Sequence, residues 1–362
     1  MSPLKARLVD LIGALGPIPV AEFMAMCLYD PKHGYYTTRD PFGREGDFTT
    51  APEVSQMFGE LIGVWVAGVW AAMGRPKRVV IAEIGPGRGT LMKDMARTLA
   101  KIAPELRENA RFCLVEVSPK LASTQATTLQ GTSGRFDWHE TVDTLPEYPM
   151  IIIGNELFDA VPMRQYVKAS GGWRERMVGL DSKDELTFLA GAGGIDPAFL
   201  PPGADSAPDG SIVEISPART ATMGAIAGRI AAKGGAGLFL DYGYAKPAVG
   251  DTLQALLKHA YDDVLAHPGE ADLTSHVDFA ALASEAAGRG LDTSLMTQGD
   301  FLLRMGLLER AGRLGRDADD ATRNRLRSEV ERLAGPQQMG TLFKALCVAR
   351  PGRMPEPFKA AD

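Results

Sequence analysis

The stretch VVIAEIGPGRGTLMKD, Val79 to Asp94, limits what this chain can fold into more than any other. An apolar run ends in Glu83 and meets Gly85, Pro86, Gly87 and Gly89 before a segment with helical spacing, so strand, tight turn and helix start follow in order. Glycines let a backbone turn sharply and approach a ligand closely, and the unpaired amides of a helix start favour acceptor or anionic groups. A plain glycine-rich connector would share this pattern. The acid that ends the next apolar run, Glu116, tips the reading toward a ligand site.

The surrounding texture is α/β. Short β-branched runs predict strands at Val79 to Glu83, Phe112 to Glu116, Arg135 to Trp138, Met150 to Gly154 and Gly237 to Asp241, with a last one at Thr341 to Ala349. Helices are expected at Thr90 to Ile102, Pro119 to Leu129 and Pro217 to Ala232, and a hairpin at Val161 to Val167 and Glu175 to Leu180 around Gly171 and Gly172. Gly191 to Gly210 reads as a surface loop. About a hundred residues separate Asp241 from the last strand, more than one connection needs, and Arg304 to Leu314 and Asp319 to Leu333 are the best helices there. The division is therefore residues 1–76 as a helical segment with a lid loop, 77–243 as the core, 244–336 as a mainly helical insertion, and 337–362 as the last strand and tail. The first segment and the insertion are expected to cap the core. Ser2 and Pro3 open the first helix, and the long stretch from Tyr29 to Ser55 is a candidate lid or binding loop.

The glycines follow G-x-G-x-G, and Glu116 lies 31 residues beyond Gly85, whereas a dinucleotide fingerprint places its acid about 20 residues on. A carboxylate at Glu83 would repel pyrophosphate and suit an ammonium group, which S-adenosylmethionine carries. Its amino-acid end would then lie near Glu83 and the turn, its ribose on Glu116, and its adenine near FDWHE, where Trp138 is either a contact or ordinary core. Asp47, Phe48, Thr49 and Thr50 close over the cofactor in this reading; capping of the Ser55 helix is their other role.

Lys plus Arg number 39 against 45 Asp plus Glu, with no long basic run, which argues against duplex nucleic acid as the main partner. Cys27, Cys113 and Cys347 sit far apart in apolar surroundings and read as reduced core thiols. No apolar stretch reaches the ~20 residues of a membrane span. The five histidines show no paired ligand spacing, so no metal site is expected.

These residues resemble the MidA-like class I methyltransferases, which include the mitochondrial complex I assembly factor that methylates arginine. The likeness runs along nearly the whole chain: DPKHGYY from Asp30, EGDFTTAPEVSQMFGE from Glu45, EIGPGRGTLMKD from Glu83, GNELFDAVP from Gly154, LDYGY from Leu240, PGEADLTSHVDF from Pro268, TQGDFLLRMG from Thr297 and MGTLFKAL from Met339. It implies a Rossmann-like, doubly wound sheet with an antiparallel last strand, S-adenosylmethionine as cofactor, and a protein arginine as acceptor, in the family a respiratory complex I subunit. No basic, acid-poor presequence opens the chain, so the expectation is a bacterial cytoplasmic relative or a mature matrix form.

Carboxylates that grip a guanidinium would orient a nitrogen toward the methyl group. Glu156 and Asp159, with Asn155 shaping the turn, follow the fourth strand at the sheet edge where open α/β folds bind ligands, and are the candidate acceptor residues; an N-capping cluster is the equal alternative. Asp241 and Tyr242 end another strand at that edge and either line the acceptor pocket or hydrogen-bond each other. His276 and Asp278 suit a general base, though a helix-start hydrogen bond explains them better. A small-molecule methyltransferase and an assembly chaperone without catalysis are the rival functions, with a dehydrogenase further off.

Overall fold

Strands buried on both faces read as unbroken apolar runs, and Val79–Ile84 and Met150–Asn155 are buried at every position. A computed structural model of the chain describes residues 2–38 and 50–359 and divides them into two units.

The larger unit takes residues 50–157, 222–245 and 279–359. Its strands lie in the order Asp292–Thr297, Phe343–Ala349, Gly235–Tyr244, Met150–Asn155, Val79–Ile84, Ala110–Val115, Phe136–His139. All pairs on the Phe136 side of Gly235–Tyr244 are parallel, and Phe343–Ala349 runs antiparallel to both its neighbours. This is the Rossmann-like class I arrangement that the resemblance implies. From Val79–Ile84 the chain winds out through Ala110–Val115 and returns on the opposite side at Met150–Asn155, so the switch point falls between the first and fourth strands. The helices Gln56–Ala72 and Thr90–Ile102 cover the sheet, packed closely because Gly59 and Gly63 carry no side chain: a Cβ at Gly59 would stand 2.6 Å from Cβ of Asp94.

The predicted strands and helices are present with ends shifted by a few residues, and Thr90–Ile102 matches at both ends. One sheet member was not expected: Asp292–Thr297, sequence DTSLMT, pairs among the described residues only with Phe343–Ala349 and is partly exposed, so it lacks the apolar run of the central strands.

The smaller unit holds residues 2–38, 158–221 and 246–278. Ser2 caps the helix Pro3–Leu15 by accepting from the Lys5 amide at 3.2 Å, with Pro3 in the first turn. DPKHGYY forms a structural turn. The Asp30 carboxylate accepts from the amides of Lys32 and His33, both at 3.0 Å, and Gly34 is required because a Cβ there would stand 2.4 Å from the Asp30 nitrogen. The hairpin strands are Arg164–Ala169 and Gly172–Leu180, the turn being Ser170 and Gly171. They share a sheet with Ile18–Pro19, Leu186–Gly194 and Ile212–Ile215.

Two expectations are corrected here. Gly191 to Gly194 are the end of a strand, not a surface loop; a Cβ at Gly191 would meet Met177 Cγ at 2.8 Å, so the glycine permits tight cross-strand packing. Residues 254–274 are not helical: Gln254–Leu257, Ala260–Asp262 and Asp272–Thr274 form a small sheet, turned at Lys258 and His259 with both φ positive. Strands this short carry too few residues to show alternation.

Arg219, which the sequence did not single out, organises this unit. Buried, it donates to the carbonyls of Asp159 at 3.0 Å, Val161 at 3.3 Å and His276 at 2.7 Å and to Ser275 Oγ at 2.7 Å. The NELFDAVP and TSHVDF motifs are thereby tied to one guanidinium, whose donors all find acceptors away from water. Arg219→Ala should leave these acceptors without that donor and lower the unfolding midpoint by several degrees, measured by calorimetry.

Candidate active site

Three left-handed residues make the turn after Val79–Ile84: Gly85, Gly87 and Gly89 have φ of 62°, 51° and 82°. Only glycine adopts this region without steric cost, so the sequence spacing is a conformational requirement. The Gly85 amide donates to the Val115 carbonyl at 3.1 Å and the Gly89 amide to Pro86 at 2.7 Å, and Gly89 caps the helix Thr90–Ile102. Beside the turn Glu83 is buried. It accepts from the Met92 amide, its Oε2 has no hydrogen-bond partner among the described residues, and burial holds its carboxyl well above the usual carboxylate range.

Glu116, at the end of the neighbouring strand, accepts from the Ser118 amide at 2.8 Å and from Gln125 Nε2 at 3.0 Å. Burial raises its pKa, and these hydrogen bonds partly offset the effect. Gln125 also donates to the Gly87 carbonyl at 2.9 Å and accepts from Trp138 Nε1 at 2.9 Å. Trp138 is 37 % exposed and Val117, next to Glu116, is 70 % exposed, so apolar surface flanks the acid. The sequence reading missed Gln125. The signal was its spacing, one helical turn beyond Leu121 on the inner face of Pro119–Thr128.

At the opposite side of the switch point stands Asn155, one residue past the Ile84–Gly154 pair. Its Nδ2 donates to Glu156 Oε1 at 3.0 Å, while its buried Oδ1 has no hydrogen-bond partner among the described residues. Glu156 has φ of 50°, a strained value for a non-glycine residue, and its Oε1 also accepts from the Ala51 amide at 3.1 Å. The carboxylate thus ties the start of the short helix Ala51–Val54 to the sheet edge. Glu53 on that helix accepts from Thr90 Oγ1 at 2.5 Å, fastening the same segment to the glycine turn.

Thr50 sits at the N-cap position of Ala51–Val54 without a side-chain cap bond, and Ser55 itself caps Gln56–Ala72 through the Met57 amide at 3.2 Å. Asp47, Phe48 and Thr49 lie outside the described residues. Asp241 is buried in this unit and accepts from the Tyr242 amide at 2.9 Å; the Tyr242 ring lies 5.4 Å from that of Phe343. Asp159, His276 and Asp278 belong to the smaller unit, where Asp159 is buried and His276 donates its amide to Thr252 Oγ1 at 2.9 Å.

Residues 61–297 match the model of a family described as S-adenosyl-L-methionine-dependent methyltransferase. The chain belongs to that family. The methyltransferase is 36% identical over 379 residues to the protein arginine methyltransferase NDUFAF7 homolog, mitochondrial, of Drosophila melanogaster, covering 95% of this chain and 84% of the relative. It is 34% identical over 369 residues to the mitochondrial protein arginine methyltransferase NDUFAF7 of Homo sapiens, with 95% and 82% covered. A crystal structure from Burkholderia thailandensis, bound to S-adenosylhomocysteine, superposes with a TM-score of 0.83 at 28% identity over 96% of this chain and 92% of the other. The cofactor of the methyltransferase is S-adenosylmethionine.

Proposed function

We propose that this methyltransferase methylates an arginine side chain of a protein, a respiratory complex I subunit being the acceptor that the family resemblance implies, and that its donor site is the glycine turn with Glu83, Glu116 and Trp138. The observation that carries the donor assignment is the buried Glu83 Oε2, without a hydrogen-bond partner among the described residues, beside three left-handed glycines. A buried carboxylate oxygen is costly unless a cation or donor meets it, and the ammonium of a methionyl group is both. The acceptor assignment rests on likeness to relatives named as protein arginine methyltransferases over 95% or more of this chain.

Bound S-adenosylmethionine supplies an electrophilic methyl group on a sulfonium and a thioether leaving group. The chain's part is alignment and exclusion of water. Glu83 anchors the ammonium, Gly85, Pro86, Gly87 and Gly89 let the backbone approach it, Asn155 Oδ1 offers a further acceptor, and Glu116 receives the ribose hydroxyls with Trp138 beside the base. Thr50, and Thr49 just outside the described residues, keep their place as candidate cofactor contacts. Glu156, bonded to the Ala51 amide, positions the segment that Glu53 joins to Thr90, and Asp159 keeps its place as a candidate acceptor residue. The buried free thiols and the mitochondrial relatives fit a reducing compartment, the matrix or a bacterial cytoplasm.

Glu116→Ala removes two charge-assisted hydrogen bonds and is expected to weaken S-adenosylhomocysteine binding about 100-fold in calorimetric titration. Wild-type affinity in that variant would refute the ribose assignment. The acceptor is tested by incubating the protein and methyl-labelled cofactor with lysate from a deletion strain and mapping modified peptides by mass spectrometry. Label on arginine is the expected result; label confined to small molecules would overturn the protein acceptor.

A further inference from the structure

We infer that Gln125 is a positioning residue of the donor site, locking the glycine turn, the ribose acid and the indole into one register. The inference rests on the donor-site reading above, in which Glu116 takes the ribose.

Gln125 is fully buried on a helix of 10 residues, and a buried primary amide is tolerated only when its donors and acceptor are met. All are met here by parts of one site. Nε2 donates to the Gly87 carbonyl at 2.9 Å and to Glu116 Oε2 at 3.0 Å, and Oε1 accepts from Trp138 Nε1 at 2.9 Å. The chemistry of the partners allows no other orientation. An indole nitrogen only donates, whereas a carbonyl and a carboxylate only accept, so rotating the amide by half a turn would break all three bonds. Contact also runs through the backbone: a Cβ at Gly89 would touch Gln125 Cα at 3.4 Å.

Two consequences follow. Glu116 is gripped at one oxygen by Gln125 and at the other by the Ser118 amide, which fixes the carboxylate plane that a vicinal diol must meet. The Trp138 ring is held by the same amide, so the surface beside the base is set relative to the acid. Neither effect requires Gln125 to touch the ligand; it acts through Glu116, Trp138 and Gly87.

The test uses titration calorimetry of the full chain with S-adenosylhomocysteine and with its 2′-deoxyribose analogue. Wild-type protein should prefer the ribose form by about tenfold or more, the worth of one hydrogen bond to a charged group. Gln125→Leu should weaken S-adenosylhomocysteine about tenfold and reduce the ribose preference to about threefold or less, because Glu116 is free to turn. A merely structural role would weaken both ligands alike and leave the preference intact. Trp138→Phe removes the bond to Oε1 alone and should weaken binding while keeping the ribose preference. Should Gln125→Leu not fold, Gln125→Met carries the same expectation. If Glu116→Gln leaves binding at the wild-type level, the donor-site reading fails. If Glu116→Gln weakens binding but the folded Gln125 variant keeps wild-type affinity and ribose preference, the role of Gln125 alone is overturned.

Discussion

Replacing Glu83 by glutamine is expected to weaken S-adenosylhomocysteine binding by 100-fold or more, on the order of the cost of breaking a buried ion pair, and to leave the free protein at least as stable as wild type. The two effects share one cause. In the free protein the carboxyl is buried with one oxygen lacking a hydrogen-bond partner among the described residues, and its pKa is raised well above the ordinary value. A carboxyl raised in this way contributes no penalty below its unfolded pKa of about 4, and an increasing one as pH climbs from there through the folded value. Glutamine is neutral throughout. Its unfolding midpoint should therefore exceed that of wild type at pH 8, with the gain shrinking as the pH is lowered toward 4. Ligand affinity should show the complementary trend. Binding the ammonium needs the ionised carboxylate, so wild-type affinity should rise with pH up to the raised folded pKa as binding expels the Glu83 proton, and the variant should lose this dependence. Undiminished affinity in Glu83→Gln, measured by calorimetry, would remove the ammonium assignment.

A second large effect is expected at Gly235, where alanine should lower the unfolding midpoint by roughly 5–10 °C or prevent soluble expression. Gly235 has φ of 122°, and a Cβ there would lie 1.8 Å from the Met150 carbonyl oxygen, a backbone atom that cannot step aside. The residue opens Gly235–Tyr244 and pairs in register with Met150. Displacing it disturbs the strand whose Leu240 carbonyl accepts from the Glu156 amide at 2.8 Å. Gly68→Ala is the control. It lies within the helix Gln56–Ala72, a Cβ there meets nothing within 4 Å, and alanine should be neutral or stabilising by up to about 1 kcal/mol. Equal midpoints for Gly235→Ala and wild type would show that the first strand contact is softer than its geometry implies.

What could be read from the sequence follows from burial. Val79–Ile84, Ala110–Val115 and Met150–Asn155 are sandwiched between layers, so their composition alone marks them, and the glycine turn is legible because its dihedral angles exclude other residues. Asp292–Thr297 escaped notice because an edge strand in partial contact with water needs no apolar run. The partners of Gln125 and Arg219 were hidden for a different reason. Each is a polar residue whose importance lies in partners distant along the chain, as with Arg219 and His276, and no local period encodes such a pairing. DPKHGYY shows the reverse. It reads as part of a ligand loop, yet Asp30 and Gly34 account for it through turn chemistry. Glu156 lies between these cases: its place at the sheet edge was foreseen, but its bond to the Ala51 amide was not, since that contact joins residues 105 apart.

A crystal structure with S-adenosylhomocysteine bound tests the donor site most directly. The ligand's amino nitrogen should lie within hydrogen-bonding distance, about 3 Å, of Glu83 or of a single water between them, with both ribose hydroxyls on the Glu116 carboxylate. A ligand seated away from Gly85 to Gly89, or one whose ribose faces solvent while Glu116 keeps only its protein partners, would contradict the assignment.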